Sequence, residues 1–184
     1  MEKEDALKLL KEFVKNENLI KHCIATGAIM KETAKKLGEN EKKWELIGLL
    51  HDIDYEIVKG DMSKHGIVGA EILKKKGIDD EICEVVRTHN HTLFGGTYKK
   101  AVEFALQAAD SISGLIVACA LVKGKKLSDV TVKTIKKKFK EKSFAAGCDR
   151  NRIKEIEKTG IKLDEFFEIA LNGMLNVKNE LGLE

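Results

Sequence analysis

The chain has no proline and few aromatic residues, and both shortages narrow the fold class. Proline is absent from all 184 residues, and Phe, Trp and Tyr together make up 5% of them. Lys, Glu, Leu, Ile and Ala dominate instead, and these residues favour helix over strand. A chain of this length with 43% hydrophobic residues can bury a sizeable core. We therefore predict an all-α fold built as one helical domain.

The chain also lacks paired cysteines, an apolar amino terminus and a long apolar run. We expect reduced thiols that pack in the interior, with neither a disulfide nor a zinc–thiolate site. The charged residues 1–5 do not resemble a signal peptide, and the apolar stretch at residues 115–122 is too short to cross a bilayer. A cytoplasmic protein without membrane contact is expected. The four widely spaced cysteines are Cys23, Cys83, Cys119 and Cys148.

Apolar residues at helical spacing predict a series of helices joined by short polar segments. The expected caps are Asn40, Ser63, Asp79 or Asp80, and Ser128 or Asp129 at amino ends, and Gly38 and Gly77 at carboxyl ends. A polar loop is expected at residues 54–62, and Gly95–Gly96 marks a second loop. The predicted helices cover roughly residues 6–16, 18–37, 41–50, 63–77, 80–91, 98–122, 129–140, 149–159 and 164–181.

Histidine is confined to one half of the chain. Asp52 follows His51 where an apolar helical run gives way to the polar loop, and Asp110 interrupts an apolar helical stretch. Buried imidazoles and carboxylates are costly without a charged partner, so the pattern indicates a divalent metal ion. Successive residues of a helix point about 100° apart, so His51 and Asp52 share an ion only where the helix ends. The five histidines are His22, His51, His65, His89 and His91.

The order of these residues resembles that of the HD-domain (HDIG-type) metal-dependent phosphohydrolases. Residues 48–53, Gly-Leu-Leu-His-Asp-Ile, look like the central motif of that family, and residues 108–113 resemble its closing aspartate segment. Residues 64–73 and 86–89 resemble the histidine segments of the subgroup that binds two metal ions. The resemblance implies an HD-domain helical bundle at residues 1–122, with residues 123–184 as extra C-terminal helices packed on the same domain.

The resemblance also implies a set of metal ligands. One ion would be held by His22, His51, Asp52 and Asp110, and a second by His65 and His89, with Asp52 bridging the two. His91 is left open as a further ligand or a bystander. Such ligands suit Fe, Mn, Ni, Co or Mg, and one or two ions are expected. In a two-metal site an acidified water attacks phosphorus, and the protein supplies no nucleophile of its own.

The chain departs from the family pattern after Ile53. Asp54 and Tyr55 stand where the family often has glycine and lysine, so the expected lysine role is unfilled or moved to Lys59 or Lys64. Asp54 either hydrogen-bonds a water on the metal or is an ordinary loop residue. The catalytic candidates are Asp52, His51, Asp54 and Lys64, and the substrate-binding candidates are Arg87, Lys59 and Asn90.

The predicted function is hydrolysis of a phosphate ester or anhydride of a small metabolite, a nucleotide or dinucleotide. The Gly-Tyr-Pro segment of the cyclic di-GMP hydrolase branch is absent, which disfavours that substrate. Two alternatives remain: a di-iron oxygenase that uses the same ligands, and a non-catalytic metal or nucleotide sensor.

A basic segment, residues 123–142, holds nine lysines against two acidic residues. It either attracts a phosphorylated substrate or is the solvated face of an amphipathic helix. The shortage of aromatic residues for base stacking argues against nucleic acid as a partner. The oligomeric state is open, with a homodimer among the options.

Overall fold

The protein is entirely helical in a computed structural model that describes all 184 residues. No strand is present, which confirms the predicted all-α class. Two short 3-10 segments lie at Leu127–Asp129 and Glu155–Thr159. The α-helices are α1 (Lys3–Phe13), α2 (Glu17–Leu37), α3 (Glu41–Leu50), α4 (Tyr55–Val58), α5 (Ile67–Lys75), α6 (Asp80–Thr88), α7 (His91–Phe94), α8 (Ala101–Leu121), α9 (Val132–Lys140), α10 (Arg150–Lys154), α11 (Leu163–Asn176) and α12 (Lys178–Leu181).

Helices α2 and α3 pack backbone against backbone. A Cβ atom on Gly48 would lie 2.7 Å from the Cα of Gly27, so only glycine fits at this crossing. The turn between the helices is closed by the predicted caps: Gly38 takes a left-handed conformation, and the Asn40 side chain accepts the amide of Lys43. The close crossing brings the end of α3 beside the first turns of α2.

Helix α8 runs through the core. It begins at Ala101 because the Glu103 carboxylate accepts the amides of Lys99 and Lys100, which ends the preceding loop. With 21 residues it is long and apolar enough to cross a bilayer, so our argument from the length of the apolar stretch was wrong. However, 67% of its most apolar window is buried inside the fold, as in the core helix of a globular protein. The cytoplasmic location stays a prediction.

Residues 123–184 share the hydrophobic core with the preceding helices. Helix α11 packs on α2 so closely that a Cβ on Gly173 would lie 2.8 Å from the carbonyl oxygen of Ala28. Phe166, Phe167 and Met174 of α11 are fully buried in the same cluster as the side chains of α2 and α8. The division at residue 122 therefore separates two parts of the sequence that bury one common core.

The loop between α9 and α10 is organised around one arginine. The guanidinium of Arg150 donates hydrogen bonds to six backbone carbonyls between residues 138 and 148. These carbonyls belong to the last turn of α9 and to the loop after it, where the regular helical hydrogen bonds end. Arg150 thereby fixes the start of α10, whose amides at Asn151 and Arg152 are accepted by the Asp149 side chain.

Several predicted boundaries were wrong. Helix α5 begins at Ile67 and not at Ser63, because the Ser63 side chain bonds to Asp61 and Gly66 makes a sharp turn with φ +86°. The predicted loop at residues 54–62 contains the one-turn helix α4. Helix α9 is capped by Thr131, three or two residues after the predicted Ser128 or Asp129. The last predicted helix is broken near Val177 into α11 and α12.

Candidate metal centre

Four side chains from α2, the end of α3 and α8 converge on one point. The Nε2 atom of His22 lies 3.1 Å from Asp110 Oδ1 and 3.6 Å from Asp52 Oδ2. The Nε2 atom of His51 lies 3.4 Å from Asp52 Oδ2 and 3.8 Å from Asp110 Oδ1. Residues 88 positions apart along the chain thus bring two imidazoles and two carboxylates within reach of a common cation.

A second group lies on the other side of Asp52. Its Oδ1 atom is 3.3 Å from His65 Nε2 and 3.5 Å from His89 Nε2, and these two nitrogens are 3.0 Å apart. Within each of the two groups, His22–His51–Asp52 and Asp52–His65–His89, the ligand atoms all lie within 4.8 Å of one another. Asp52 therefore offers one oxygen to each group, which is the geometry of a bridging carboxylate.

Every imidazole of the two groups is oriented by a hydrogen bond from its Nδ1 atom. His51 donates to the carbonyl of Gly48 at 2.7 Å, and His89 donates to that of Val86 at 2.6 Å. His65 Nδ1 donates to the Asp54 carboxylate. His22 Nδ1 donates to the Ser113 hydroxyl oxygen, because the Ser113 hydroxyl itself donates to the Asp110 carbonyl. The Nε2 atoms therefore face the centre, which is the orientation of a metal-binding histidine.

One atom shows directly that the centre suits a cation. His51 is fully buried, and its Nε2 atom has no hydrogen-bond partner. A buried nitrogen without a partner is costly, and a divalent ion between the Asp52 and Asp110 oxygens would satisfy it. The imidazole and carboxylate donors fit divalent ions such as Fe, Mn, Ni, Co or Mg.

The electrostatics of the centre are those of a cation site. Burial raises the pKa of the Asp52 and Asp110 carboxyls, but the surrounding imidazoles outweigh burial and hold both pKa values well below the usual range. Burial lowers the pKa of His65, but its hydrogen bonds with Asp52 and Asp54 prevail and raise that pKa to about 9. Two ionised carboxylates thus face a space ringed by nitrogen atoms.

The structure gives Asp54 a different position from the one we predicted for a catalytic residue. Its carboxylate is fully buried; Oδ1 accepts from His65 Nδ1 at 2.9 Å, and Oδ2 accepts the amides of Gly66 and Gly69 at 2.8 Å each. Both oxygens are therefore engaged in holding His65 and the first turn of α5. Asp54 therefore contacts His65 and not the centre itself, which is the position of a residue that orients a ligand.

The predicted catalytic residue Lys64 does not line the cavity over the centre, because it pairs with Asp61 on the surface. Of the predicted substrate-binding residues, only Asn90 lines the cavity. Arg87 pairs with Glu84 and stacks on Phe94. Lys59 lies in a left-handed turn beside a different pocket. Asn90 does reach the cavity, but its amide donates to the Met62 and His65 carbonyls and its oxygen caps α7.

His91 stands at the first position of α7 and lines the cavity without joining either ligand group. Burial and the charge of Arg152 lower the pKa of its imidazole.

Arg152 is the charged residue of the cavity that was not predicted from the sequence. Its Nη2 atom lies 2.5 Å from Asp110 Oδ2, and its Nε atom donates to Gln107 at 2.8 Å. It comes from α10, far outside the motif region. The cavity has a volume of about 380 Å³, and its lining includes no Ser, Thr, Cys or Lys side chain. The sequence offers one weak signal for Arg152, which is the rarity of arginine in this chain. Only three of the 33 basic residues are arginines, at positions 87, 150 and 152.

An all-helical domain gathers histidines and aspartates from several helices around a shared carboxylate, which is an arrangement that can hold divalent metal ions. The chain belongs to the HD domain family, whose model matches residues 19–120. This confirms the predicted family, which is a superfamily of metal-dependent phosphohydrolases.

Curated relatives agree with this assignment. The chain is 30% identical over 99 residues to a protein named Ribonuclease Y of Oleidesulfovibrio alaskensis, which covers 54% of this chain and 18% of that protein. It is 36% identical over 115 residues to an uncharacterized protein of Methanocaldococcus jannaschii, covering 60% of this chain and 65% of that protein. The chain thus spans less than a fifth of the Ribonuclease Y sequence. No solved structure matches it.

Proposed function

We propose that this protein is a metal-dependent phosphohydrolase that cleaves a phosphate ester or anhydride of a nucleotide or dinucleotide. One observation carries the proposal: Asp52 presents its two carboxylate oxygens to two separate histidine groups, each within ligand distance. A carboxylate shared in this way sets two cations side by side, and paired cations are suited to in-line displacement at phosphorus.

His22, His51, Asp52 and Asp110 would hold the first ion, and His65, His89 and Asp52 the second. Bound divalent ions would supply Lewis acidity, which acidifies water for attack and neutralises charge on the phosphoryl oxygens. The water oxygen would bond to phosphorus and release a proton to solvent, the P–O bond to the leaving group would break, and the leaving oxygen would take up a proton from solvent. No Ser, Thr, Cys or Lys side chain lines the cavity, and this agrees with water as the nucleophile.

We assign Arg152 the role of a phosphate-binding cation. Its guanidinium has donors in a planar fork, and the bonds to Asp110 and Gln107 use only part of them. The side chain is 19% exposed and lines the cavity, so the remaining donors face the space above the centre. An arginine fork suits phosphate oxygens, and the Asp110 pair holds it in place.

A second candidate function is cleavage of RNA. It is favoured by the similarity of 98 or 99 residues of the chain to proteins named Ribonuclease Y. Both candidate functions are hydrolysis of a phosphodiester or anhydride at the same centre. They differ in the length of the nucleotide substrate that the protein surface must accept.

The test is elemental analysis of the purified protein, followed by a phosphate-release and product panel of nucleotides, dinucleotides and a short RNA with the metal restored. We expect one or two transition-metal ions per chain and hydrolysis of a dinucleotide. Asp52→Ala should lose bound metal and activity together, whereas Asp5→Ala, on the exposed face of α1, should keep both.

Activity that survives in Asp52→Ala would contradict the site. Oxygen consumption by an iron-loaded sample, without hydrolysis of any phosphate compound, would identify the di-iron oxygenase instead. Tight nucleotide binding without turnover by metal-replete protein would identify a sensor.

A further inference from the structure

A second groove lies directly beside the metal centre. It has a volume of about 420 Å³ and is bounded by the start of α2, the second half of α8 and the chain around Gly182. His22 lines both this groove and the cavity over the centre, so a single imidazole forms the wall between them. The volume is in the range of small-molecule sites, about 300–1,000 Å³.

The groove is positively charged at its rim. Lys21 and Lys125 line it, neither has a carboxylate within ion-pair distance, and no Asp or Glu side chain is among the lining residues. The Lys21 ammonium lies over Gly182, where an added Cβ would come within 3.1 Å of its Nζ atom. Two ammonium groups that form no ion pair complement an anionic ligand.

Lys125 is held in place by an unusual backbone. Its φ angle is +67°, a left-handed backbone conformation that residues other than glycine and asparagine rarely adopt. The conformation is fixed from both sides: the Lys125 amide donates to the Ala120 carbonyl, and the Lys125 carbonyl accepts the amide of Glu184. A lysine at the rim of the groove is therefore presented by a rigid turn and not by a loose loop.

The floor of the groove is apolar. Val117 and Leu121 of α8 and Leu183 supply it, and Leu121 is 51% exposed although it is a large aliphatic residue. An apolar floor beneath two cations matches a ligand with an organic face and a negatively charged group, such as a nucleoside that carries a phosphate.

We propose that this groove binds the non-reacting end of the substrate, and that the substrate class is a dinucleotide with a terminal phosphate beyond the diester that is cleaved. The inference rests on the proposed function, because the diester would lie over the metal centre. The nucleoside would then lie beyond His22 against the apolar floor of the groove, and the terminal phosphate would contact Lys21 and Lys125. The groove would therefore give the enzyme a preference for dinucleotides that carry this terminal phosphate over those that lack it.

The test compares two probes that differ only in the terminal phosphate: the 5′-phosphorylated diadenylate pApA and the unphosphorylated ApA. With manganese-loaded protein, we expect kcat/KM for pApA to exceed that for ApA by about tenfold or more, the effect of charge-assisted hydrogen bonds to one phosphate. In the double variant Lys21→Ala/Lys125→Ala, the ratio of the two values should fall to about one.

The matched control is Lys133→Ala/Lys137→Ala, which removes the same charge from exposed positions of α9 outside the groove. It should keep the preference for pApA. Equal kcat/KM values for the two probes in the unaltered protein, or a preference that survives in the Lys21/Lys125 variant, would overturn the groove while leaving the phosphohydrolase intact.

If neither probe is hydrolysed, the groove is tested separately by equilibrium binding. Calorimetric titration of metal-replete protein should then show about tenfold tighter binding of pApA than of ApA. The same lysine variant should remove that difference, and equal affinities would overturn the groove.

Discussion

At the scale of single residues, the centre is built from pairs in which one residue faces the cation site and another holds it there. Each of the four imidazoles donates from Nδ1 to a neighbour, and two of these neighbours are side chains, Asp54 and Ser113. Such partners fix the ring orientation and the tautomer of a metal-binding histidine. The motif residues alone therefore do not explain the centre.

Asp54→Asn should weaken the second metal site selectively. The amide cannot accept from His65 and from both glycine amides as the carboxylate does, so His65 loses its fixed orientation. We expect the metal affinity of the second site to fall by about 10–100-fold and that of the first site to stay unchanged. A titration against a chromophoric chelator measures both affinities. Asp5→Asn serves as the surface control. Equal loss at both sites would contradict a positioning role confined to His65.

Arg152→Ala should reduce catalysis without removing the metal. Loss of a charge-assisted contact to a phosphate oxygen costs about 1.5–3 kcal/mol, or roughly 10–150-fold in kcat/KM. Arg152→Lys should recover only part of that loss, because an ammonium cannot reproduce the planar fork. Arg87→Ala is the control, since Arg87 pairs with Glu84 away from the cavity. A drop in bound metal equal to the drop in activity would show that Arg152 serves only to hold Asp110.

At the scale of elements, close helix crossings place the ligands. Helices α2 and α3 meet at Gly27 and Gly48, and α11 crosses α2 at Gly173. The helices themselves, and caps such as Gly38, Asn40 and Asp79, follow from local sequence and were predicted correctly. The start of α5 was not, because the buried Asp54 carboxylate accepts the amides of Gly66 and Gly69, which lie twelve and fifteen residues further along the chain.

Gly48→Ala should destabilise the fold and loosen the metal site together. The added Cβ would lie 2.7 Å from the backbone of α2, so the two helices must separate. Such overpacking costs about 1–3 kcal/mol in the free energy of unfolding, which denaturant titration measures. Metal affinity should fall as well, since the Gly48 carbonyl orients His51.

Gly96→Ala is the matched control, because nothing lies within 4 Å of a Cβ at that position. Equal stability of the two variants would contradict the tight crossing.

At the scale of the whole molecule, the region matched by the family model and the helices after it form one body. Arg152 reaches the centre from α10, and α11 covers α2. The division at residues 1–122 and 123–184 stays a prediction about the sequence, and both segments bury side chains in one core. The second group of ligands and the groove beside His22 likewise depend on parts of the chain that are remote from one another.

Removal of the metal should lower the melting temperature of the whole protein. An ion that binds the folded state but not the unfolded chain, at about 100 times its dissociation constant, adds about 2.7 kcal/mol of stability. For a chain of this size that corresponds to roughly 5–10 °C, measurable by differential scanning fluorimetry before and after chelation. Asp52→Ala should show no response to chelator. An unchanged melting temperature in the unaltered protein would argue against metal ligation between the helices.

The sequence by itself determined the helical class, most helix positions and the residue types of the centre, because helix propensity, apolar spacing and the placement of histidine are local properties. Only the tertiary structure decided that Asp54 holds His65, that Lys59, Lys64 and Arg87 lie away from the cavity, and that Arg152 enters it. The physical reason is that a side chain reaches the centre only if its helix packs in the right place and direction. That placement depends on contacts such as Gly27 with Gly48, which join residues distant along the chain.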